Sequence, residues 1–259
     1  MFLCACYWSL SVYNAIFAVM TEKEKGKLFL IPVPLGEGSL HTVPAYVLDI
    51  IRGLDVFVVE KLRTARQFLR EAGYTASFDD TLLFELNKRT EPQLIPSFLE
   101  PALQGRSIGL LSEAGAPGVA DPGSRLVRLA HRREIEVIPL VGPSSILLAL
   151  MSSGLNGQKF AFHGYLELKR PDLAKDLKRL ENQSSRNGET QIFIETPYRN
   201  TMLFETALQA LSPPTLFTVA TDLTLPNQLI RTHSIAEWRR LPKPDLNRRP
   251  TVFLLQVTK

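Results

Sequence analysis

Short apolar runs recur along the first half of the chain, each followed by a stretch whose apolar positions fall three or four residues apart. Leu28 to Pro32, Val56 to Val59, Leu82 to Phe84, Ser107 to Leu111 and Val137 to Leu140 are the runs, and they read as strands. Between them, Val43 to Ile51 carries Val47, Ile50 and Ile51 on one side. Leu62 to Ala72, Pro92 to Leu103 and Ser124 to Arg133 show helical spacing as well. The apolar stretch Ile146 to Met151 predicts a further helix, with Ser144 and Ser145 as N-cap candidates. Strand and helix thus alternate, which predicts an α/β fold with a boundary near Val141 to Ser145.

The second half has a different pattern. Phe160, Phe162 and Tyr165 bracket His163-Gly164, and the charged segment Lys169 to Glu181 follows, with Lys175, Lys178 and Arg179 on one side. Asn182 to Glu189 is polar and predicts a turn. Gln191 to Ile194, Leu216 to Ala220 and Thr251 to Val257 predict strands, with helices at Met202 to Leu211 and Ser234 to Leu241. This half reads as a second α/β domain, mixed or antiparallel at its edge. The expected division is an N-terminal extension 1–26, a first domain 27–142 and a second domain 143–259.

Three punctuating steps, Ala114-Gly115, Pro117-Gly118 and Pro122-Gly123, make the loop inside LLSEAGAPGVADPG (Leu110 to Gly123) rich in backbone and stiff. Open α/β sheets bind ligands beyond the carboxyl ends of their strands, so a small molecule is expected here. The alternative is a tight strand-to-helix connection with no ligand. A similar turn of small and rigid residues, Pro32 to Ser39, follows the first strand.

Composition narrows the picture. The 259 residues are 45% hydrophobic and 22% charged, which argues against disorder. A net charge of +4 permits a polyanionic partner without requiring one. Both cysteines, Cys4 and Cys6, lie near the N-terminus, so disulfide stapling and cysteine-ligated metal are poor readings and a cytoplasmic location is comfortable. Met1 to Met20 contains no charge. It competes as a marginal membrane span, as a signal peptide without its positive n-region, or as upstream sequence preceding a start at Met20, the last being favoured. A start at Met20 would leave no stable membrane association.

The histidines His41, His131, His163 and His233 are dispersed and HExxH is absent, which makes a catalytic metal an unfavourable reading. No GxSxG elbow, kinase motif set or Walker loop is present. What remains are strand-end acids, Glu60, Glu85, Glu113 and Glu195, placed to bind polar groups or act as bases, or simply to cap helices. Arg63, Arg66 and Arg70 share a helix face, either merely solvated or steering an anion.

LLSEAGAPGVADPG resembles the signature loop of the tetrapyrrole methylase superfamily of S-adenosylmethionine-dependent methyltransferases. Four further segments match in order: IPVPLG (Ile31 to Gly36), EKLRTAR (Glu60 to Arg66), VIPLVGPSSILLALMSSGL (Val137 to Leu155) and FIETPYR (Phe193 to Arg199). The likeness covers about Lys27 to the end and is nearest to the branch that 2'-O-methylates a cytidine of small-subunit ribosomal RNA. It implies a two-domain fold with the cofactor, S-adenosylmethionine, in the cleft between the domains, and a homodimer. Pro34, Leu35, Glu113, Ala114, Gly115, Ala116, Pro117, Gly118, Asp121, Gly142, Pro143 and Ser144 would line the cofactor site.

The same resemblance implies that Glu60, with Lys61 or Arg63, orients and polarises the acceptor. Arg63, Arg66 and Arg199 are candidates for phosphate contacts or for ordinary ion pairs. The sequence also departs from that branch: Glu-Lys-Leu-Arg stands where Glu-Asp-Thr-Arg is usual, Glu113 replaces an aspartate, Thr221-Asp222-Leu223 replaces an acidic and basic pair, and the sequence stops at Lys259 where that branch generally continues into a helical region. Two other readings stay open: the same chemistry on a tetrapyrrole or other acceptor, and a non-catalytic RNA-binding module.

Overall fold

The structure is a computed structural model and describes residues 24–258. The expectations for residues 1–19 lie outside the described residues. Two five-stranded sheets organise the chain.

The first sheet contains β1 (Leu28–Ile31), β2 (Val56–Val59), β3 (Leu82–Glu85), β4 (Ile108–Leu111) and β5 (Val137–Pro139), in the order β3-β2-β4-β1-β5 and wholly parallel. Such a sheet is covered on both faces, which is why all residues of β2 and β4 are buried. One face packs Ile31, Phe57 and Leu111 against α1 (Ala45–Arg52) and α2 (Leu62–Glu71). The other packs Val56, Val58 and Leu110 against α3 (Glu100–Leu103) and α4 (Gly123–Arg132). At Gly109, between Ile31 and Phe57, a Cβ would sit 2.8 Å from both neighbours, so only glycine fits there.

The single helix expected over Pro92 to Leu103 is instead a 3-10 turn, Ile95–Leu99, followed by the short α3. Pro96 and Pro101 each start a new turn because neither can donate to the one before it. Ser144 does hold the N-cap position of α5 (Ser145–Ser153), yet its side chain makes no capping hydrogen bond.

The second sheet runs β6-β7-β10-β8-β9, from β6 (Phe160–Tyr165), β7 (Thr190–Ile194), β8 (Leu216–Thr221), β9 (Leu229–Ser234) and β10 (Thr251–Gln256). It is mixed: β6 and β7 are parallel at one edge and the remaining pairs are antiparallel. One face carries Phe193, Phe217 and Phe253, with ring centroids 6.0 and 5.8 Å apart along the ladder. These pack under α6 (Arg170–Asn187), α7 (Asn200–Ala210) and Trp238 of the short α8 (Ile235–Trp238). The opposite face, with Ile192, Ala220, Val252 and Leu254, receives Ala149 and Leu150 of α5 and also Leu35 from the first half.

Two expectations here are corrected. The predicted turn at Asn182 to Glu189 is helical as far as Asn187, because the buried stripe of Leu173, Leu177 and Leu180 continues through Glu181 and Ser184. The helix stops at Gly188, whose φ of 67° provides the left-handed C-cap. Strand β9 was not expected, since LIRTHS is half-buried and polar; its pairing with β8 is what holds it in place.

Candidate active site

The carboxyl ends of β1 and β4 are adjacent, and the loops that leave them are tied together. Val33 and Gly115 form an isolated antiparallel bridge, each N–H donating to the other's carbonyl at 2.9 and 2.8 Å. Gly115 has φ of 72°, and a Cβ there would stand 3.3 Å from Leu35 Cδ2. Ser112 Oγ donates to the Ala114 and Gly115 carbonyls at 3.2 and 3.1 Å. Asp121 Oδ1 accepts the N–H groups of Gly118 and Gly123, at 2.8 and 2.7 Å, closing the loop onto the start of α4. Behind this, Gly142 meets Pro32 so closely that a Cβ would be 2.4 Å from the proline ring.

These loops form one wall of a cleft of about 650 Å³. Leu35, Glu60, Lys61, Ser112 to Ala116 and Asp121 face it from the first sheet, and Ser144 to Ile146 from the start of α5. Phe162, Tyr165, Ile194, Glu195, Ala220, Asp222, Leu223, Thr251 and Val252 face it from the second. Its volume lies within the roughly 300–1,000 Å³ of small-molecule sites. A more open depression of about 580 Å³ lies beside Glu205, Arg239 and Lys243. Its charges are already satisfied, Glu205 by Lys243 and Arg170, and Arg239 by the Leu208 and Leu211 carbonyls.

The cleft is acidic, with Glu60, Glu113, Asp121, Glu195 and Asp222 against Lys61 as the one basic side chain of its lining. Burial raises the Glu60 carboxyl above its ordinary range, opposed by the N–H of Glu113 at 3.3 Å; the charges of Glu113 and Asp121 push it further up. Burial likewise raises Asp121, against the two N–H groups it accepts. Glu113 takes hydrogen bonds from Lys61 and Thr64, and the Glu113 bond raises the Lys61 ammonium in turn. Asp222 is held by Arg249 Nε at 2.6 Å and by Asn227. Glu195 is different: Oε1 accepts the Thr196 N–H at 2.6 Å, while Oε2, 3.4 Å from Arg199 Nε, has no aligned donor.

Of the residues singled out from the sequence, Leu35, Glu60, Lys61, Glu113, Ala114, Gly115, Ala116, Asp121 and Ser144 line the cleft. Pro34, Pro117, Gly118, Gly142 and Pro143 are not in that lining; the Gly118 N–H and the close fit of Gly142 shape the loops from behind. Arg63 is exposed on α2, outside the lining. Arg66 and Arg70 lie over Phe78, 5.5 and 4.2 Å from the ring centroid, and Arg199 pairs with Glu195 within its own half. Tyr165, Asp222, Thr251 and Val252 were not among the expected site residues. Tyr165 stood out in sequence only as an aromatic beside His163-Gly164, and the others reach the cleft through the long-range pairing of β8 with β10.

The arrangement can hold a compact polar ligand on backbone groups and small side chains, and it places a carboxyl of raised affinity for protons at the rim. Among the described residues, no three His, Cys, Asp or Glu side chains are grouped to hold a metal ion.

The chain is 29% identical over 236 residues to "Ribosomal RNA small subunit methyltransferase I" of Escherichia coli O157:H7, covering 91% of this chain and 79% of that protein. With the protein of the same name from Vibrio cholerae it is 31% identical over 230 residues, covering 89% and 76%. The crystal structure of the methyltransferase CobJ superposes with a TM-score of 0.58 at 22% identity, covering 89% of this chain and 94% of that one. The cobalt precorrin-4 methyltransferase CbiF does so at 0.55 and 14%, covering 89% and 94%; both show the shared fold. Residues 27–238 match the family of Tetrapyrrole (Corrin/Porphyrin) Methylases, and the chain belongs to that family.

Proposed function

We propose that this protein is an S-adenosylmethionine-dependent methyltransferase that methylates a ribose 2'-hydroxyl of cytidine in small-subunit ribosomal RNA. The observation that carries the reading is the acid-rich cleft bounded by the bridged loops after β1 and β4, in a chain whose curated relatives are named for that RNA. A sulfonium cofactor is cationic, so a cleft with five carboxylates and one lysine suits it, and the volume accommodates one ligand of that size. When bound, the cofactor supplies an electrophilic methyl group.

The chain's own residues then have three tasks. Leu35 and the backbone from Glu113 to Ala116 would grip the cofactor, with Pro34, Pro117, Gly118, Gly142, Pro143 and Ser144 shaping the cradle and Asp121 fixing the loop that follows. Phe162, Ile194 and Val252 would exclude water from one side. Glu60, whose raised proton affinity comes first from burial, would accept the proton of the acceptor hydroxyl. Lys61, bonded to Glu113, would stabilise developing negative charge at the rim. Arg63, exposed two residues further on, would contact the RNA backbone.

The reading includes two domains that meet at Gly142–Pro143, and a homodimer. In support of the dimer, Val141, Leu147 and Met151 are 67, 52 and 80% exposed, the last two on one face of α5. An RNA acceptor implies a cytoplasmic location. No helix among the described residues is long and apolar enough to cross a membrane.

The test uses labelled S-adenosylmethionine and undermodified small ribosomal subunits, followed by nucleoside analysis. A cofactor-dependent 2'-O-methylcytidine is expected. Intact cofactor binding without label in the RNA would refute the acceptor, and a corrin or porphyrin substrate would be tried next.

A further inference from the structure

Beside the cleft, at the carboxyl ends of β6 and β7, three large apolar side chains stand in solvent: Tyr165, Leu168 and Tyr198, at 53, 63 and 74% exposure. Tyr165 pairs in register with Ile194, and Tyr198 follows four residues later at the turn into α7. Rings so exposed contribute little to the core, so the fold alone does not account for them.

Each ring is accompanied by a cation from elsewhere in the chain. Lys88 Nζ, in the loop after β3 of the first sheet, lies 6.0 Å from the Tyr165 centroid, so the contact links the two halves of the chain. Arg248 Cζ lies 5.7 Å from the Tyr198 centroid. Arg248 is held there in a left-handed conformation, φ 61°, with its N–H donating to the Pro197 carbonyl at 3.1 Å. Backbone strain retained at such a position is characteristic of ligand contacts.

We infer that Tyr165 and Tyr198 form a stacking edge for unpaired nucleobases flanking the target nucleotide, with Lys88 and Arg248 neutralising the phosphates of the stacked residues. The inference rests on the RNA reading above and assigns the side from which that RNA enters. Aromatic rings alternating with cations are what single-stranded nucleic acid requires: every base has a π face, and each stacked base brings a phosphate alongside. Tyr165 also lines the cleft, so a base on this ring would sit next to the reacting position, while Tyr198 would hold a neighbour.

The experiment uses the full chain and a fluorescent single-stranded RNA of about ten nucleotides carrying the target cytidine, a length within the site sizes of single-strand binders. Tyr198→Ala and Tyr165→Ala are each expected to weaken binding about 5- to 100-fold in anisotropy titrations, while Tyr198→Phe stays within about twofold because the π face is retained. Calorimetric binding of S-adenosylhomocysteine should be unchanged in Tyr198→Ala, which separates lost stacking from misfolding. Lys88→Ala and Arg248→Ala should each flatten the log-log salt dependence by about 0.7. Alanine variants that bind the oligonucleotide within about twofold of wild type would overturn the inference, since stacking is worth more than that. So would variants impaired only on intact subunits, because the edge would then meet ribosomal protein. RNA binding that needs both tyrosines but yields no methylated product would sink the proposed function and leave the edge standing, whereas normal methylation by the alanine variants would do the reverse.

Discussion

Replacing Gly115 with alanine tests the cradle where a left-handed backbone and a close neighbour coincide. With φ at 72°, an L-residue incurs about 1–2 kcal/mol of strain, offset by about 0.4–1 kcal/mol of reduced unfolded-state freedom. The new methyl group would stand 3.3 Å from Leu35 Cδ2, a close contact that the leucine can relieve only by shifting along the cleft wall. If the loop moves instead, the two bridge hydrogen bonds to Val33 are at risk, each worth about 0.5–1.5 kcal/mol. The expected loss of stability therefore runs from about 0–1.6 kcal/mol with the bridge kept to about 1–4.6 kcal/mol with it broken. Either outcome displaces Leu35 or Gly115, and affinity for S-adenosylhomocysteine should fall by about tenfold or more, equivalent to 1.4 kcal/mol. Gly118→Ala is the control: its φ is 84°, yet nothing lies within 4 Å of the new methyl, so it should show strain without crowding. Guanidinium melts and calorimetry on both variants decide. Wild-type cofactor affinity in Gly115→Ala, with impairment in Gly118→Ala, would refute the account of the cradle.

Three further outcomes are expected. Glu60 has a raised folded-state pKa, so the native state holds its proton more tightly; stability from this group falls as pH rises from the unfolded to the folded value and stays lower above it. Glu60→Gln should therefore melt higher than wild type at neutral pH while losing methyl transfer and the acid limb of its pH profile, and unchanged turnover would remove Glu60 from the chemistry. Glu181, on α6, is lowered in pKa: burial opposes this, but the Lys178, Thr215 and Ser212 donors outweigh it. Its contribution is present above the unfolded value and lost as pH falls through the folded one, so wild type should approach Glu181→Gln in melting temperature as pH falls below the ordinary carboxylate range. Phe253→Ala, in the middle of the aromatic ladder, should cost about 3–5 kcal/mol in denaturant melts; a loss under about 1 kcal/mol would mean that the ladder is not the core of its sheet.

How far the chain could be read depended on whether the signal was local. The parallel strands of the first half are short, continuous apolar runs, and all five stood out by that alone. The loop Ser112 to Pro122 announced itself because glycine and proline mark unusual backbone wherever they cluster. The far wall of the cleft did not. Asp222 and Thr251 are placed by antiparallel pairing of segments some thirty residues apart, and β9 is half-buried and polar, so no local periodicity marks it. Residues Asn182 to Asn187 misled for the opposite reason: their polarity suggested a turn, although one buried serine was enough to continue the helix stripe. Glu195 was visible as a strand-end acid, but its burial and the lack of an aligned donor for Oε2 arise only from packing within the second half.

The Val33–Gly115 bridge and the Gly142–Pro32 contact have a bearing on how such a protein diverges. A cradle made of main-chain groups offers mutation few side chains to alter, so its shape tolerates exchange of the positions around it. Drift is then free on the rim, where Lys61, Tyr165 and Tyr198 are side chains with no packing duty to protect. A change of what the rim contacts then needs exchange of those rim residues alone, with the loop pair left as it is.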